Sequence, residues 1–229
     1  MRIEENYSLK AHNTFGIDAK CGRFLEYETV EEAQQVAEVL RESATPYIII
    51  GGGSNLLLTK DFDGIVVHSA LKGYAIDGDR MVCGSGMVWD DIVAISLNAG
   101  LYGAENLSLI PGDVGASAVQ NIGAYGVEAQ DLIRQVEAVE ISTSRLQVID
   151  AADCQYGYRQ SRFKQAWKNC YLITRVTYQF SKTFVPKLDY GNIRSELARK
   201  GIADPTAQQL RETIIDIRRA KLPDPAVEG

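Results

Sequence analysis

Histidine is scarce in this chain of 229 residues: only His12 and His68 occur. The four cysteines, Cys21, Cys83, Cys154 and Cys170, contain no C-x-x-C pair. These shortages argue against a zinc or iron–sulfur centre, and the cysteines read as reduced, buried residues. Positive charge is also in deficit. The net charge is -6, and basic residues stay scattered until Arg218, Arg219 and Lys221, so a nucleic-acid partner is not expected. No apolar run approaches the ~20 residues that span a bilayer, and the N-terminal MRIEENYSLK is polar rather than signal-like. A cytoplasmic protein without a membrane partner is the expectation. No internal repeat and no low-complexity linker is found.

What is present fits one or two domains with a core large enough to need no staples. FLEYE (24–28) reads as a strand. TVEEAQQVAEVLRES reads as a helix, with Thr29 and Glu32 as a capping box and Val30, Ala33, Val36, Ala37 and Leu40 on one face. Pro46 ends it. YIII (47–50), LLLT and GIVVHS follow as strands, which makes the opening block β-α-β-β. A second block begins near Leu71. YAIDGDRMVCGSG has the pattern of a hairpin turning at Asp77-Gly78, and VWDDIVAISLNAG that of a helix closed by Gly100. VEAVEIST and LQVID form a strand pair, and YLITRVTYQF is a long alternating strand. Two helices close the chain. One begins near Asn192 and the other at Asp204-Pro205, with Leu210, Ile214 and Ile217 on one face.

Two glycine-rich segments carry the chemistry. GGGSN (51–55) follows a buried strand, where glycines let backbone N–H groups approach an anion. It is not a dinucleotide fingerprint of the G-x-G-x-x-G kind. Leu56 stands where the third glycine would be, and the residues after it read as strand rather than helix. A tight structural turn is the alternative. The second segment is IPGDVGASAVQNIGAYG (110–126), whose one charge is Asp113. Its polar set, Ser117, Gln120, Asn121 and Tyr125, needs hydrogen-bond partners, because an unpaired buried polar group costs about 1–3 kcal/mol. A large ligand rich in hydrogen-bonding groups would supply them. One extended ligand across both segments, such as FAD, suits this better than a mononucleotide.

HNTFGI (12–17), GGGSNLLL (51–58), NLSLIPGDVGASAVQNIGAYG (106–126), GYRQS (157–161) and KLPDP (221–225) occur in this order. Together they resemble the UDP-N-acetylenolpyruvoylglucosamine reductase (MurB) family over the whole chain. LDYGNI (188–193) is similar to the family's first type, which has a substrate-capping tyrosine. The resemblance implies an α+β protein with the two-subdomain FAD-binding fold of the vanillyl-alcohol oxidase (PCMH) type. Residues 1–70 would form subdomain 1 and residues 71–220 subdomain 2. Residues 221–229 would begin a linker to a third, substrate domain that is missing here.

The same resemblance implies roles for individual residues. FAD would be held by Gly51, Gly52, Gly53, Ser54, Asn55 and Leu56. From the second segment it would be held by Ile110, Pro111, Gly112, Gly115, Ala116, Ser117, Gln120, Asn121, Gly123, Ala124 and Tyr125, and also by Arg218. Arg159 would be catalytic, its fork steadying an enolate on a carboxylate-bearing carbon. Tyr158, Tyr190 and Lys221 would bind the substrate. NADPH would reduce the flavin, and the hydride would pass to UDP-N-acetylglucosamine enolpyruvate, giving UDP-N-acetylmuramate for peptidoglycan. The family's proton-donating serine, in a G-N-A-G-S-F-F-K-N-P motif, and its C-terminal glutamate have no counterpart in this sequence. The expectation is therefore an FAD-binding fragment that does not complete turnover and tends to self-associate, from a parent that is a monomer. His12 and His68 are expected to serve packing. Two other readings stay open. One is a different FAD-linked oxidoreductase of this fold, disfavoured because no histidine for covalent flavin attachment lies near GGGSN in sequence. The other is a non-catalytic flavin- or nucleotide-binding module.

Overall fold

The computed structural model describes residues 1–221, so residues 222–225 of the KLPDP motif and residues 222–229 of the expected linker lie outside the described residues. Two sheets divide the chain between residues 69 and 74. The first contains β1 (Arg2–Ser8), β2 (Lys20–Tyr27), β3 (Tyr47–Ile50) and β4 (Phe62–Ser69), with α1 (Val30–Glu42) between β2 and β3. Its strand order is β1-β2-β4-β3. β2 and β3 run parallel to β4, and β1 is antiparallel to β2. A parallel pair needs a crossover, which α1 supplies. Thr29 caps α1 as its sequence implies, accepting from the Glu32 N–H at 3.1 Å, although the Glu32 carboxylate reaches Glu28 N rather than Thr29 N.

The second sheet is antiparallel throughout. It contains β5 (Tyr74–Asp77) and β6 (Arg80–Gly84). After α2 (Trp89–Asn98), α3 (Val114–Gln120) and a small ribbon of β7 (Gly123–Ala124) and β8 (Val127–Glu128) come β9 (Ile133–Glu140), β10 (Arg145–Asp150) and β11 (Tyr171–Gln179). Its order is β10-β9-β11-β6-β5. Two helices, α4 (Ile193–Arg199) and α5 (Ala207–Lys221), follow.

The cores explain how the sheets are joined. Ile65 and Val67 of β4 point to α1, where they pack with Leu25, Val36 and Leu40. That same cluster contains Val139, Ile141 and Leu172 from the second sheet, so α1 is shared by both. Val66 points the other way, onto Leu9, Phe24 and Leu58. Each such fully buried aliphatic side chain contributes about 1.5–3 kcal/mol. Tyr27 adds a bond between the sheets, donating to Ile173 O at 2.7 Å from a site fully removed from solvent.

Several local expectations change. β1 was not foreseen, because RIEENYS is an exposed edge strand whose charges obscure any alternation. LLLT forms no strand; Leu58 plugs the core below the loop while Leu57 is exposed. Within the second glycine-rich segment, residues 114–120 are helical rather than loop. The hairpin turns on Gly78-Asp79, one residue later than expected. Cys170 is only half-buried, unlike Cys21, Cys83 and Cys154. α5 starts at Ala207, not at Asp204-Pro205, because Thr206 and Gln209 make a reciprocal capping box. Thr206→Ala should cost about 1 kcal/mol, read as a lower midpoint in urea denaturation. From that start, Leu210, Ile214 and Ile217 reach the core with Ile193 and Leu197, and Tyr125 packs beside them. The last helix thus returns to the second glycine-rich segment.

Candidate FAD- and anion-binding site

The two glycine-rich segments, far apart in sequence, meet. Ser54 Oγ donates to Pro111 O at 3.2 Å, and Asn55 Nδ2 donates to Gln120 Oε1 at 3.1 Å. A Cβ on Gly51 would stand 3.1 Å from Ala116 Cβ, and one on Gly52 would stand 3.4 Å from Gly112 Cα. The glycines therefore let the first loop press directly onto the second segment. Gly53 is the tightest position. Its φ is +68°, and a Cβ there would come within 1.9 Å of His12 O. The turn below it is built by Asn13, whose side chain bonds Leu9 O, Ile17 O and Ile17 N at 2.8–2.9 Å. The HNTFGI motif is thus the floor of the first glycine loop.

Two adjoining cavities of about 160 Å³ each open at this junction. They share Ile49, Ile50, Gly51, Ala116 and Gln120; one extends to Tyr27, Ser69, Ser85 and Asp113, the other to Ser54, Asn55 and Leu56. A third cavity of about 580 Å³ lies beyond α3. Gly123, Ala124, Tyr125, Tyr158, Arg159, Tyr190 and Arg218 line it, together with Glu128, Gln130 and Asp131.

Of the expected FAD residues, Gly51 to Leu56, Gly115, Ala116 and Gln120 line the first two cavities, and Gly123, Ala124, Tyr125 and Arg218 the third. Ile110 packs against the core, while Pro111 and Gly112 abut Ser54. Ser117 and Asn121, expected as side-chain partners of a ligand, already have partners inside the protein. Ser117 is 1% exposed; its hydroxyl contacts Tyr178 Oη and donates to Val114 O, both at 2.7 Å. Asn121, fully buried with φ +46°, donates to Glu128 and to Gly157 O and accepts from Gln130 N. Their hydrogen-bonding needs are met inside the protein, so they shape the segment. Lys221 donates to Asn192 Oδ1 at 3.2 Å and is not among the residues that line these three cavities.

Arg159 and Arg218 converge on the third cavity. Arg159 donates to Gly123 O at 3.3 Å and Arg218 to Leu109 O at 3.2 Å. Among the described residues, neither stands within ion-pair distance of a carboxylate. Burial and the nearby Arg159 cation push the Arg218 pKa down despite the opposing influence of Tyr125 and Asp90. Arg159 and Tyr125 both sit at positive φ, +54° and +49°, a conformation that non-glycine residues hold only when their surroundings over-determine it. Tyr190 is exposed and meets Tyr125 edge-on at 6.4 Å.

The Leu109 carbonyl is itself braced. Asp90 accepts from Leu109 N at 2.6 Å and takes both arms of Arg211 at 2.7 and 2.9 Å. Burial works to raise the Asp90 pKa, but Arg211, the Leu109 N–H and Arg218 outweigh it, so the carboxyl titrates below its ordinary range. Its contribution is present above the unfolded carboxylate pKa, about 3.9, and is lost as pH falls through the lower folded value. Asp90→Ala strands the buried Arg211 and should cost about 2 kcal/mol at neutral pH. Paired urea denaturations should show that difference shrinking in acid. Asp90, Arg211, Asp113, Glu128 and Gln130 were not foreseen as parts of the site. Only Asp113 had a signal, as the sole charge in its segment.

Residues 23–149 match the family model described as "FAD binding domain". The chain is 48% identical to a UDP-N-acetylenolpyruvoylglucosamine reductase of Bacteroides fragilis, over 99% of this chain and 69% of that protein. It is 42% identical to the reductase of the same name from Pseudomonas aeruginosa, over 100% and 69%. Among solved structures, the UDP-N-acetylenolpyruvylglucosamine reductase (MurB) of Thermus caldophilus superposes with a TM-score of 0.70 at 24% identity, covering 98% of this chain and 71% of that one. The 6-hydroxy-D-nicotine oxidase of Arthrobacter nicotinovorans superposes at 0.61 and 18% identity, over 78% and 42%. These likenesses identify the fold as the two-subdomain FAD-binding type.

Proposed function

Because the chain belongs to the UDP-N-acetylenolpyruvoylglucosamine reductase family, a family of FAD-binding oxidoreductases, we propose that it holds FAD across its two glycine-rich segments and works on an anionic UDP-sugar in the arginine-lined cavity. FAD bound there would supply hydride chemistry, with NADPH as the reductant. The junction fits a dinucleotide. Glycine at 51, 52 and 53 lets the first loop close onto Ala116, Gly112 and the His12 turn, and the two small cavities at that junction, with the larger one lined by Gly123 to Gly126, give an extended ligand more than one place to lie. A cytoplasmic site of action and a part in peptidoglycan synthesis belong to the same proposal.

The residues' own work follows from their chemistry. Arg159 holds the enolpyruvyl carboxylate in its fork and stabilises charge as the adjacent carbon becomes an enolate. Arg218, braced through Leu109, adds a second cation on the same cavity. Tyr158 and Tyr190, both strongly exposed beside it, offer flat faces to the substrate's ring systems. The carrying observation is the pair of arginines on one cavity without carboxylate partners among the described residues.

Anaerobic spectroscopy tests the reading. FAD bound to the purified chain should lose its visible bands when NADPH is added. A flavin that stays oxidised would overturn the assignment of NADPH. Adding UDP-N-acetylglucosamine enolpyruvate then asks a separate question. Steady NADPH oxidation that depends on it would support the UDP-sugar as the electron acceptor; a reduced flavin that it does not reoxidise would overturn that assignment.

A further inference from the structure

Asp113 poses a problem for any diphosphate at the junction. Its carboxylate is only 12% exposed, and its oxygens lie 3.5 and 3.3 Å from the points that a Cβ on Gly51 or Gly52 would occupy. A bare carboxylate this close to Gly51 and Gly52 would repel an anionic ligand. The fold places an answer beside it. His68 pairs in register with Ile50, the residue just before Gly51, on one side, and with Glu26 on the other. Its Nδ1 stands 2.8 Å from Glu26 Oε2, and its Nε2 stands 3.8 Å from Asp113 Oδ2. A neutral imidazole has a single N–H, so one nitrogen would turn a lone pair toward a carboxylate. Only the imidazolium suits both neighbours.

We propose that His68 acts as the cationic counter-charge to Asp113 beneath the glycine-rich junction, so that dinucleotide affinity falls as pH rises and His68 gives up its proton. The inference rests on the reading that this junction takes the FAD diphosphate. The other charged and titratable groups around His68 do not replace it. Arg2, on β1, reaches Glu26 Oε1 at 3.4 Å and Glu4 at 2.6 Å. Among the described residues, His68 is the one cationic side chain within 4 Å of Asp113. His12 meets the His68 ring at 4.8 Å, with its Nε2 3.1 Å from Tyr7 Oη. Burial, and then the His68 charge, lower the His12 pKa, so as pH rises His12 gives up its proton before His68 does. For His68 burial also works downward, but Asp113 and Glu26 outweigh it, and the net shift is upward. The sign follows. The counter-charge is complete below the ordinary histidine pKa of about 6.5 and is lost as pH rises through the higher folded value.

Flavin-fluorescence titration of the chain between about pH 5.5 and about pH 8.5 should show FAD affinity weakening roughly tenfold with rising pH, the scale of one partly buried charge. His68→Gln should bind more weakly at the acid end and show no slope. Asp113→Asn removes the charge that needs compensation; it should also lose the slope and bind more tightly than the parent at the alkaline end. If His68→Gln does not fold, Asp113→Asn carries the test. Nitrogen-15 NMR of the unliganded chain should find both ring nitrogens of His68 protonated at the acid end. A flat profile in the parent, a slope kept by Asp113→Asn, or a singly protonated His68 at the acid end would each overturn the proposal. Failure to bind FAD at any pH would instead overturn the cofactor reading on which it rests, while the NMR result would still report the charge of His68.

Discussion

Alanine at position 53 should abolish measurable FAD binding and destabilise the first sheet by about 4 kcal/mol, at the upper end of single substitutions. Two effects combine there. The residue holds φ at +68°, which costs an L side chain about 1 kcal/mol or more. The added Cβ would also lie 1.9 Å from His12 O, a backbone atom that cannot swing aside as a side-chain tip can. Relief requires the loop to lift from the HNTFGI turn or that turn to move. The turn is fixed by the three bonds of Asn13 and by Leu9 in the core below. Lifting the loop draws Gly51 and Gly52 away from Ala116 and Gly112, so cofactor binding and stability fall together. Gly78→Ala is the control: its φ of +62° is similar, but nothing lies within 4 Å of an added Cβ, and it should cost far less on both readouts. Urea denaturation with parallel FAD titration measures the two quantities. A Gly53→Ala chain of parental stability would mean that the turn yields more easily than its bonds imply.

Arg159→Ala should weaken binding of UDP-N-acetylglucosamine enolpyruvate to the FAD-loaded chain by ~10²-fold, the worth of a charge-assisted, two-pronged bond to a carboxylate. Stability should barely move, because the side chain is exposed and makes a single 3.3 Å bond to Gly123 O. Arg159→Lys keeps the charge but loses the fork, so it should recover only part of the loss. The substrate's perturbation of the flavin spectrum gives the affinity. Equal binding by Arg159→Ala and the parent would remove Arg159 from the site and leave Arg218 as its cation.

Much of this was legible in the sequence, for identifiable reasons. β11 is a long alternating strand and α1 a capped amphipathic helix, patterns that read directly. Both glycine-rich segments were visible as well, since such composition is costly unless backbone must come close to something. What sequence could not give was their meeting, because Ser54 and Pro111 are 57 residues apart and nothing local encodes the contact. Argument from unmet hydrogen bonds singled out the second segment for its polar residues, but the structure shows that two of them have partners inside the protein. Ser117 and Asn121 satisfy themselves through Tyr178, Glu128 and Gly157, partners up to 61 positions away. α3 was hidden because its small residues and glycine carry little helical signal, so packing against the second sheet decides its form. His68 and Asp113 were opaque for a related reason. A lone histidine at a strand end ordinarily serves packing, and only the register with Glu26 and Ile50 reveals two carboxylates around its ring.

The central claim is that one long, diphosphate-bridged ligand lies across both glycine-rich segments. Equilibrium titration of the purified chain with FAD and, separately, with FMN tests it most directly. FMN offers the flavin but neither the diphosphate bridge nor the second nucleotide. The account predicts one FAD per chain, bound at least about tenfold more tightly than FMN, since several backbone and charge contacts separate the two ligands. Equal affinity for FAD and FMN, or no uptake of FAD, would contradict it.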